Sequence, residues 1–158
     1  PIHFYFHENE TDDFSEFNAG IKIFGGWSRG QNGQRSMSIF ARGEYGDSKF
    51  DYPFFNQLGY DNFQALVLRN SGQDWMRSSM KDIMLTSLMR GSGLDFQEHN
   101  AVATYINGEY WGMYNLREKI NEHMLASKHN VDAGDITLLT NNVEEIEGSN
   151  EEYNQLII

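Results

Sequence analysis

The sequence predicts an α+β fold, a mostly antiparallel sheet with helices packed on one face. Apolar and polar residues alternate with period 2 in several short runs, and Asn107-Gly108, a pair suited to a type I′ turn, separates two of them. Two longer stretches carry apolar residues at helical spacing. We predict strands near residues 2–7, 20–25, 36–41, 63–69, 100–106 and 109–116, and helices near 75–90 and 117–129.

Composition indicates one globular domain, residues 1–158. The chain has 39% hydrophobic and 14% aromatic residues, enough for a core, and no run of about eighteen apolar residues that would span a membrane. Its net charge of −11 argues against binding to nucleic acid or to an anionic membrane surface. The absence of cysteine excludes a disulfide scaffold and a thiol nucleophile. A start at Pro1 rather than Met suggests a piece of a longer protein.

The first predicted strand alternates Ile2, Phe4 and Phe6 with polar or aromatic residues. His3 and His7 share a face of this strand, but no third ligand of the right type lies nearby in the sequence, so we assign no metal site. Residues 8–18 are polar and are interpreted as a connection to the next strand.

A glycine-rich segment, Gly25–Gly33, follows the strand at 20–25. It holds four glycines in nine residues, so its backbone amides could approach a phosphate closely, with Arg29 and Arg35 as cationic partners. Neither GxGxxG nor GxxxxGK[ST] is present. A glycine-rich hairpin connection with surface arginines is the alternative interpretation.

The first predicted helix follows the buried strand at 63–69. Five apolar residues recur at spacings of three, four and seven, which indicates a stripe that packs into the core rather than a binding groove. These residues are Met76, Met80, Ile83, Met84 and Leu88. Arg90-Gly91 is predicted to end this helix with a basic last turn and a C-terminal glycine.

The hairpin at 100–116 leads into the second predicted helix. Position alone predicts that Glu118 is an exposed carboxylate in the first turn of that helix, favoured by its dipole. Residues 135–140 are interpreted as a strand, residues 141–149 as an acidic loop, and residues 150–158 as the start of a further helix.

The order of residues around the hairpin adds a family resemblance. The stretch NGEYWGMYNLREKI at 107–120 resembles the NGEYxGxYxLxE hallmark of the CotH kinase family, atypical kinases named for a spore-coat protein. Residues 20–46 and 66–82 resemble the family's earlier blocks. Together the resemblance covers residues from about 20 to 141. It implies the N-terminal part of an atypical kinase fold, and ATP-dependent phosphoryl transfer to protein hydroxyls in the complete protein.

The resemblance also implies roles for three residues. Arg29 and Arg35 would steady nucleotide phosphates, Arg35 standing where the family commonly has lysine, and Glu118 would orient Arg35. The family's catalytic and metal-binding aspartates belong to a later DxxxNxxN-type block that is not found here, so no catalytic residue and no metal ligand is assigned. ATP and Mg²⁺ are expected in the complete protein, without tight binding by this chain alone.

The resemblance further implies partners and a location. The partners would be the rest of the kinase domain after Ile158 and an unidentified protein substrate. The location would be outside the cytoplasm, in a secreted, cell-surface or spore-coat protein of bacteria.

A second hypothesis is a non-catalytic surface or coat-assembly module. Such a module would offer the hairpin aromatics Tyr105, Tyr110, Trp111 and Tyr114 to a protein or glycan partner. Buried rings would remove the main support for this hypothesis, and an open platform without a cationic pocket would weaken the kinase hypothesis. A hydrolase ranks third, because no Ser-His-Asp arrangement or carboxylate pair is evident.

Overall fold

The computed structural model describes residues 1–9, 11–26, 28–31 and 33–157. The chain divides into two compact units, Pro1–Lys119 and Ile120–Ile158, which are described separately. In the described parts, strand outweighs helix, 34% to 19%. None of the described helices is long and apolar enough to cross a membrane.

The first unit is built around a six-stranded antiparallel sheet in the order β1-β2-β3-β6-β8-β7, curled into a half-barrel. The mostly antiparallel sheet is therefore confirmed. Its strands and two short flanking strands are β1 (Ile2–His7), β2 (Phe14–Ile23), β3 (Met37–Phe40), β4 (Phe50–Asp51), β5 (Asn62–Phe63), β6 (Ala65–Arg69), β7 (His99–Ile106) and β8 (Glu109–Glu118). Its helices are α1 (Ser28–Gln31) and α2 (Lys81–Ser87), with a 3₁₀ turn at Gly72–Asp74.

One face of this sheet forms the hydrophobic core. Successive side chains in a strand point to opposite faces, which brings Ile39, Leu66 and Leu116 to the same side. The segment that contains β4 and β5 covers this side with buried aromatic rings. We call this side the core face; the rings that cover it are Phe50, Phe54, Phe55 and Phe63.

The strand predictions hold, with one correction. Residues 14–18, interpreted as a polar connection, extend β2 and pair with β1, with Phe17 opposite Phe4. Their rings stack at 6.1 Å between centroids, a cross-strand contact that outweighs the polar composition. In the glycine-rich segment, Ser28–Gln31 form a single helical turn where a loop was expected, and Trp27 and Asn32 lie outside the described residues.

The prediction of a long helix with a buried methionine stripe is wrong. The helix is only Lys81–Ser87, and Ser79 before it has a left-handed backbone with φ of 54°. Met76, Met84 and Leu88 are exposed. The polar side chains of Asp82 and Thr86 face the sheet instead, where Arg117 donates hydrogen bonds to both.

The second unit contains α3 (Glu122–His129), a 3₁₀ turn at Ala133–Asp135, the paired strands β9 (Leu138–Leu139) and β10 (Glu145–Glu147), and α4 (Glu151–Leu156). The second predicted helix begins later than expected, because residues 117 and 118 still belong to β8. Asn121 caps α3 by accepting a hydrogen bond from the Met124 N–H at 3.0 Å. The predicted strand at 135–140 shortens to two residues, and β10 lies in the predicted loop. The predicted helix near the end corresponds to α4, and Ile158 lies outside the described residues.

Candidate functional site

The face of the sheet opposite the core carries charged residues at its centre. Residues paired across neighbouring strands share a face, so Arg69 and Asn115 lie together, as do His99 and Arg117. Arg117 and Asn115 are two residues apart on β8, which places all four on one side. We call this side the polar face.

Three of these charged groups form a cluster between the sheet and α2. Arg69 is the last residue of β6, and its Nε donates a hydrogen bond to Asp82 Oδ2 in the first turn of α2. Arg117 Nη1 donates to the same oxygen at 2.7 Å. The Arg69 side chain is 33% exposed, whereas that of Arg117 is 4% exposed. We call Arg69, Asp82 and Arg117 the Arg–Asp cluster.

The Arg–Asp cluster carries an excess positive charge, because two guanidinium groups share one carboxylate. Burial lowers the pKa of Arg117, and the nearby Asp82 carboxylate opposes that shift. Burial, and then the charge of Arg117, lower the pKa of His99, which keeps its imidazole neutral near pH 7. Within these three groups the charges sum to +1, and the accessible member, Arg69, has the chemistry that suits a phosphate oxygen.

Further cations lie along the same face around the ring of Phe40. Lys22 Nζ is 4.9 Å from the ring centroid, Arg42 Cζ is 5.5 Å away and Lys119 Nζ is 5.8 Å away. Cations at such distances are attracted to the face of an aromatic ring. The polar face is therefore cationic at two places, despite the acidic composition of the chain.

The end of the glycine-rich segment is anchored directly beside Arg69. Ser36 Oγ donates to Asn70 Oδ1 at 2.9 Å, and the Asn70 N–H donates back to Ser36 Oγ at 3.0 Å. Asn70 Nδ2 also donates to the carbonyl oxygen of Gln34. Ser36 and Asn70 are both buried, so these contacts fix where the segment ends.

A second anchor attaches this segment to β8. Gln34 Nε2 donates to the carbonyl oxygen of Met113 at 2.8 Å, and the Tyr114 hydroxyl donates to that of Arg35 at 3.0 Å. Gly112 makes room for this contact: its φ is +117°, and a Cβ there would lie 2.9 Å from Gln34 Nε2. The glycine in the hairpin motif thus accommodates the glycine-rich segment.

The structure places the three sequence-predicted site residues in different surroundings. Arg29 on α1 and Arg35 are exposed. Glu118 is 1% exposed and lies at the end of β8, so it is not an exposed carboxylate of a helix. It accepts hydrogen bonds from the Tyr60 hydroxyl and, at 2.8 Å, from the Glu98 N–H. Burial and this bond to Glu118 raise the pKa of Tyr60.

Arg35 and Glu118 are not brought together. The backbone of Arg35 is level with Tyr114, and Glu118 lies further along β8 by roughly 14 Å at the usual rise per residue. The carboxylate that does pair with a strand-borne arginine is Asp82. Sequence reasoning did not single out Asp82 or its arginine partners, although Arg69 directly follows a buried apolar run.

The hairpin aromatics are mostly exposed. A β-bulge pairs Thr104 with Gly112 and Tyr105 with Tyr110, which leaves Trp111 as the extra residue. Tyr105, Tyr110 and Trp111 are exposed, and the first two rings lie 5.3 Å apart between centroids. Tyr114, in contrast, is buried in the core face. We call the three exposed rings the aromatic patch.

Comparison with known families places the chain. The family model described as CotH kinase protein matches residues 21–156, most of the chain, including the Arg–Asp cluster and both anchors. The chain belongs to this family. Neither the curated proteins nor the solved structures gave a match. As a member of the CotH family, the chain is a kinase-related region whose sheet carries a cationic face.

The family resemblance implies Mg²⁺ as well as ATP, and the two fit the described residues differently. The arginines of the cluster suit a phosphate group. Within residues 1–9, 11–26, 28–31 and 33–157, no group of three or more His, Asp or Glu side chains could hold a metal ion. The described residues by themselves therefore do not fit Mg²⁺.

Proposed function

We propose that this chain is the N-terminal, nucleotide-facing part of a CotH-like atypical protein kinase. The complete protein would transfer the γ-phosphoryl group of ATP to a hydroxyl of a protein substrate. The catalytic aspartates and the residues that bind Mg²⁺ would belong to the rest of the kinase domain, after Ile158. Family membership and the cationic polar face support the proposal. Helices packed on one face of the sheet, as in the N-terminal part of an atypical kinase fold, are also part of this proposal.

The observation that carries the proposal is the ion pair between β6 and α2. Kinases hold nucleotide phosphates with a strand cation that a helix carboxylate orients, and a glycine-rich loop covers the phosphates. Arg69 and Asp82 make such a strand-to-helix pair, and the glycine-rich segment is anchored at the residue after Arg69. The order of the elements and the types of residue at the end of β6 are thus both those expected of a kinase phosphate site.

In this proposal the residues of the chain bind and orient the phosphates. Arg69 would donate hydrogen bonds to phosphate oxygens, and Asp82 would fix the direction of its guanidinium group. Arg29 and Arg35, both exposed on the glycine-rich side, would add positive charge. Glu118, at the end of β8 away from the hairpin turn, would have a structural role, because its carboxylate accepts a hydrogen bond from the Glu98 N–H.

The proposal also covers the setting of the protein. We expect a bacterial protein outside the cytoplasm, secreted, attached to the cell surface or associated with the spore coat. Family membership is the support for this location.

Calorimetric titration of ATP with Mg²⁺ tests the function. We would titrate this chain and a longer one that continues past Ile158. Binding by the longer chain alone supports a site split between the two parts, and binding by neither refutes the proposal. In the chain that binds, Arg69→Met should raise the Kd for ATP at least tenfold, whereas Arg77→Met, at an exposed arginine of the same region, should leave it unchanged.

A second candidate function rests on the aromatic patch. Exposed, neighbouring tyrosine and tryptophan rings are typical of surfaces that bind proteins or glycans. We propose as the alternative a non-catalytic surface or coat-assembly module that uses Tyr105, Tyr110 and Trp111. Intrinsic tryptophan fluorescence tests it, measured during titration with oligosaccharides and with coat or envelope proteins and compared with Trp111→Phe, which assigns any response to Trp111. No response to any of them, together with ATP binding, would leave the kinase proposal alone.

A further inference from the structure

The side chain of Arg117 spans one turn of α2 from below. Its Nη1 donates to Asp82 Oδ2 at 2.7 Å, and its Nη2 donates to Thr86 Oγ1 at 3.0 Å. Residues four apart on a helix lie one above the other on the same side. The buried guanidinium group of Arg117, on strand β8, therefore bonds to two residues of the helix that lie one turn apart.

Apolar packing contributes little to holding α2. None of its seven residues is buried, and Met84 and Leu85 are more than half or about half exposed. A helix of this length is not stable by itself. Its position on the sheet must depend on polar contacts, and the most buried of these is the fork of Arg117.

The two arginines of the Arg–Asp cluster are not equivalent. Both donate to Asp82 Oδ2, but Arg117 is almost fully buried and Arg69 is one third exposed. A buried arginine that loses its carboxylate is left as an uncompensated charge, which is costly. Arg69 contacts Asp82 through its Nε and is one third exposed, so its Nη groups can donate to a phosphate oxygen while Asp82 still orients the guanidinium group. Asp82 should therefore remain with Arg117 when an anion binds.

We propose that Arg117 is a positioning residue that locks α2 onto the sheet and leaves Arg69 available for the phosphates. This inference rests on the proposed nucleotide function. Where other kinases control activity by moving the helix that carries the carboxylate, α2 stays fixed here, because its anchor is buried beneath it. Regulation of this kinase would then act elsewhere than on α2.

Hydrogen exchange and ATP affinity together test the inference. We expect Arg117→Met to raise the exchange rates of the amides at 84–88 at least tenfold, and to raise the Kd for ATP at least tenfold in whichever chain binds ATP. Arg69→Met should raise the Kd to a similar degree but change the exchange rates less than threefold. Arg117→Lys should restore part of both, since a lysine reaches Asp82 but cannot span to Thr86.

A milder variant covers the case in which Arg117→Met does not fold. Thr86→Val keeps the size of the side chain and removes one branch of the fork, together with the hydrogen bond from the Thr86 hydroxyl to the Asp82 carbonyl oxygen, so a threefold or larger rise in exchange is expected. The lock is refuted if neither variant changes exchange in α2. If exchange rises but the Kd stays within twofold of wild type, Arg117 is structural and the positioning role is refuted. If the wild-type protein binds no ATP, the proposed function is refuted. The hydrogen-exchange result still tests the lock, because it is measured without ATP.

Discussion

The two faces of the sheet differ in chemistry. On the core face, aromatic rings from the β4–β5 segment cover aliphatic side chains. On the polar face, α2 is held by the Arg–Asp cluster and leaves its own methionine, Met84, in solvent. The comparison shows that one sheet can have different roles on its two faces. One face supplies most of the stability, and the other holds charges in place at some cost in stability.

The largest effect is expected on the core face. Phe54 is buried and its ring lies 5.0 Å from Phe6 and 5.7 Å from Phe63 between centroids. Phe54→Ala should lower the free energy of unfolding by about 3–5 kcal/mol, since it leaves a cavity among rings. Urea denaturation followed by circular dichroism measures it. Tyr5→Ala, at an exposed ring of β1, is the control and should change it by less than about 0.5 kcal/mol.

The next effect tests the asymmetry within the polar face. Arg117→Met should cost about 2–3 kcal/mol, because it removes two hydrogen bonds of a buried charged group. Arg69→Met should cost about 1 kcal/mol or less, because its contact is partly solvated. Both are measured by urea denaturation. Equal costs would contradict the distinction between a buried anchor and an accessible cation.

A third effect concerns the link between the glycine-rich segment and β8. Gly112→Ala should cost about 1–3 kcal/mol, because alanine must adopt φ of +117° and its Cβ would displace the Gln34 amide. Gly108 has φ of +83° and open space around it, so Gly108→Ala measures the cost of the positive φ without a steric clash. In a Gln34→Ala background the extra cost at Gly112 should disappear. If it persists, the steric contact is not its cause.

The smallest effect is a pH dependence, again different between two sites. The pKa of His99 is lowered from 6.5 in the folded chain, so its contribution to stability is complete above that value and is lost as the pH falls through the folded pKa. His3, whose pKa is raised by its hydrogen bonds to Asn18 and Glu16, contributes below 6.5 and loses that contribution as the pH rises.

Thermal unfolding of two variants between pH 5 and pH 8 separates these signs. Relative to wild type, His99→Gln should become more stable as the pH falls, and His3→Gln should become less stable. The groups that affect His99 are Arg117, Glu98, Arg90 and Asp82, which both proteins share, so the difference reports the imidazole alone. Parallel curves for the two variants would contradict the assignment.

The sequence by itself determined the approximate places of the six strands of the main sheet, the hairpin and the family. Alternation with period 2 is a local property, and Asn107 and Gly108 adopt the positive φ angles, 52° and 83°, that their residue types tolerate. Gly112 and Tyr114 belong to the hairpin motif that resembles the family hallmark, but their contacts with Gln34 and Arg35 could not be predicted from it.

The tertiary structure alone decided which charges meet. Arg69 and Asp82 are 13 residues apart and Arg117 and Asp82 are 35 apart, so no local pattern links them. Apolar spacing predicted that methionines would turn α2 toward the core, but the buried arginine on β8 orients its polar side to the sheet. The backbone pairing of β8 with β6 places Glu118 in a strand, opposite Leu66 and away from Arg35. Periodicity records which residues are apolar, whereas the partner of a buried charge is fixed by strand order and register.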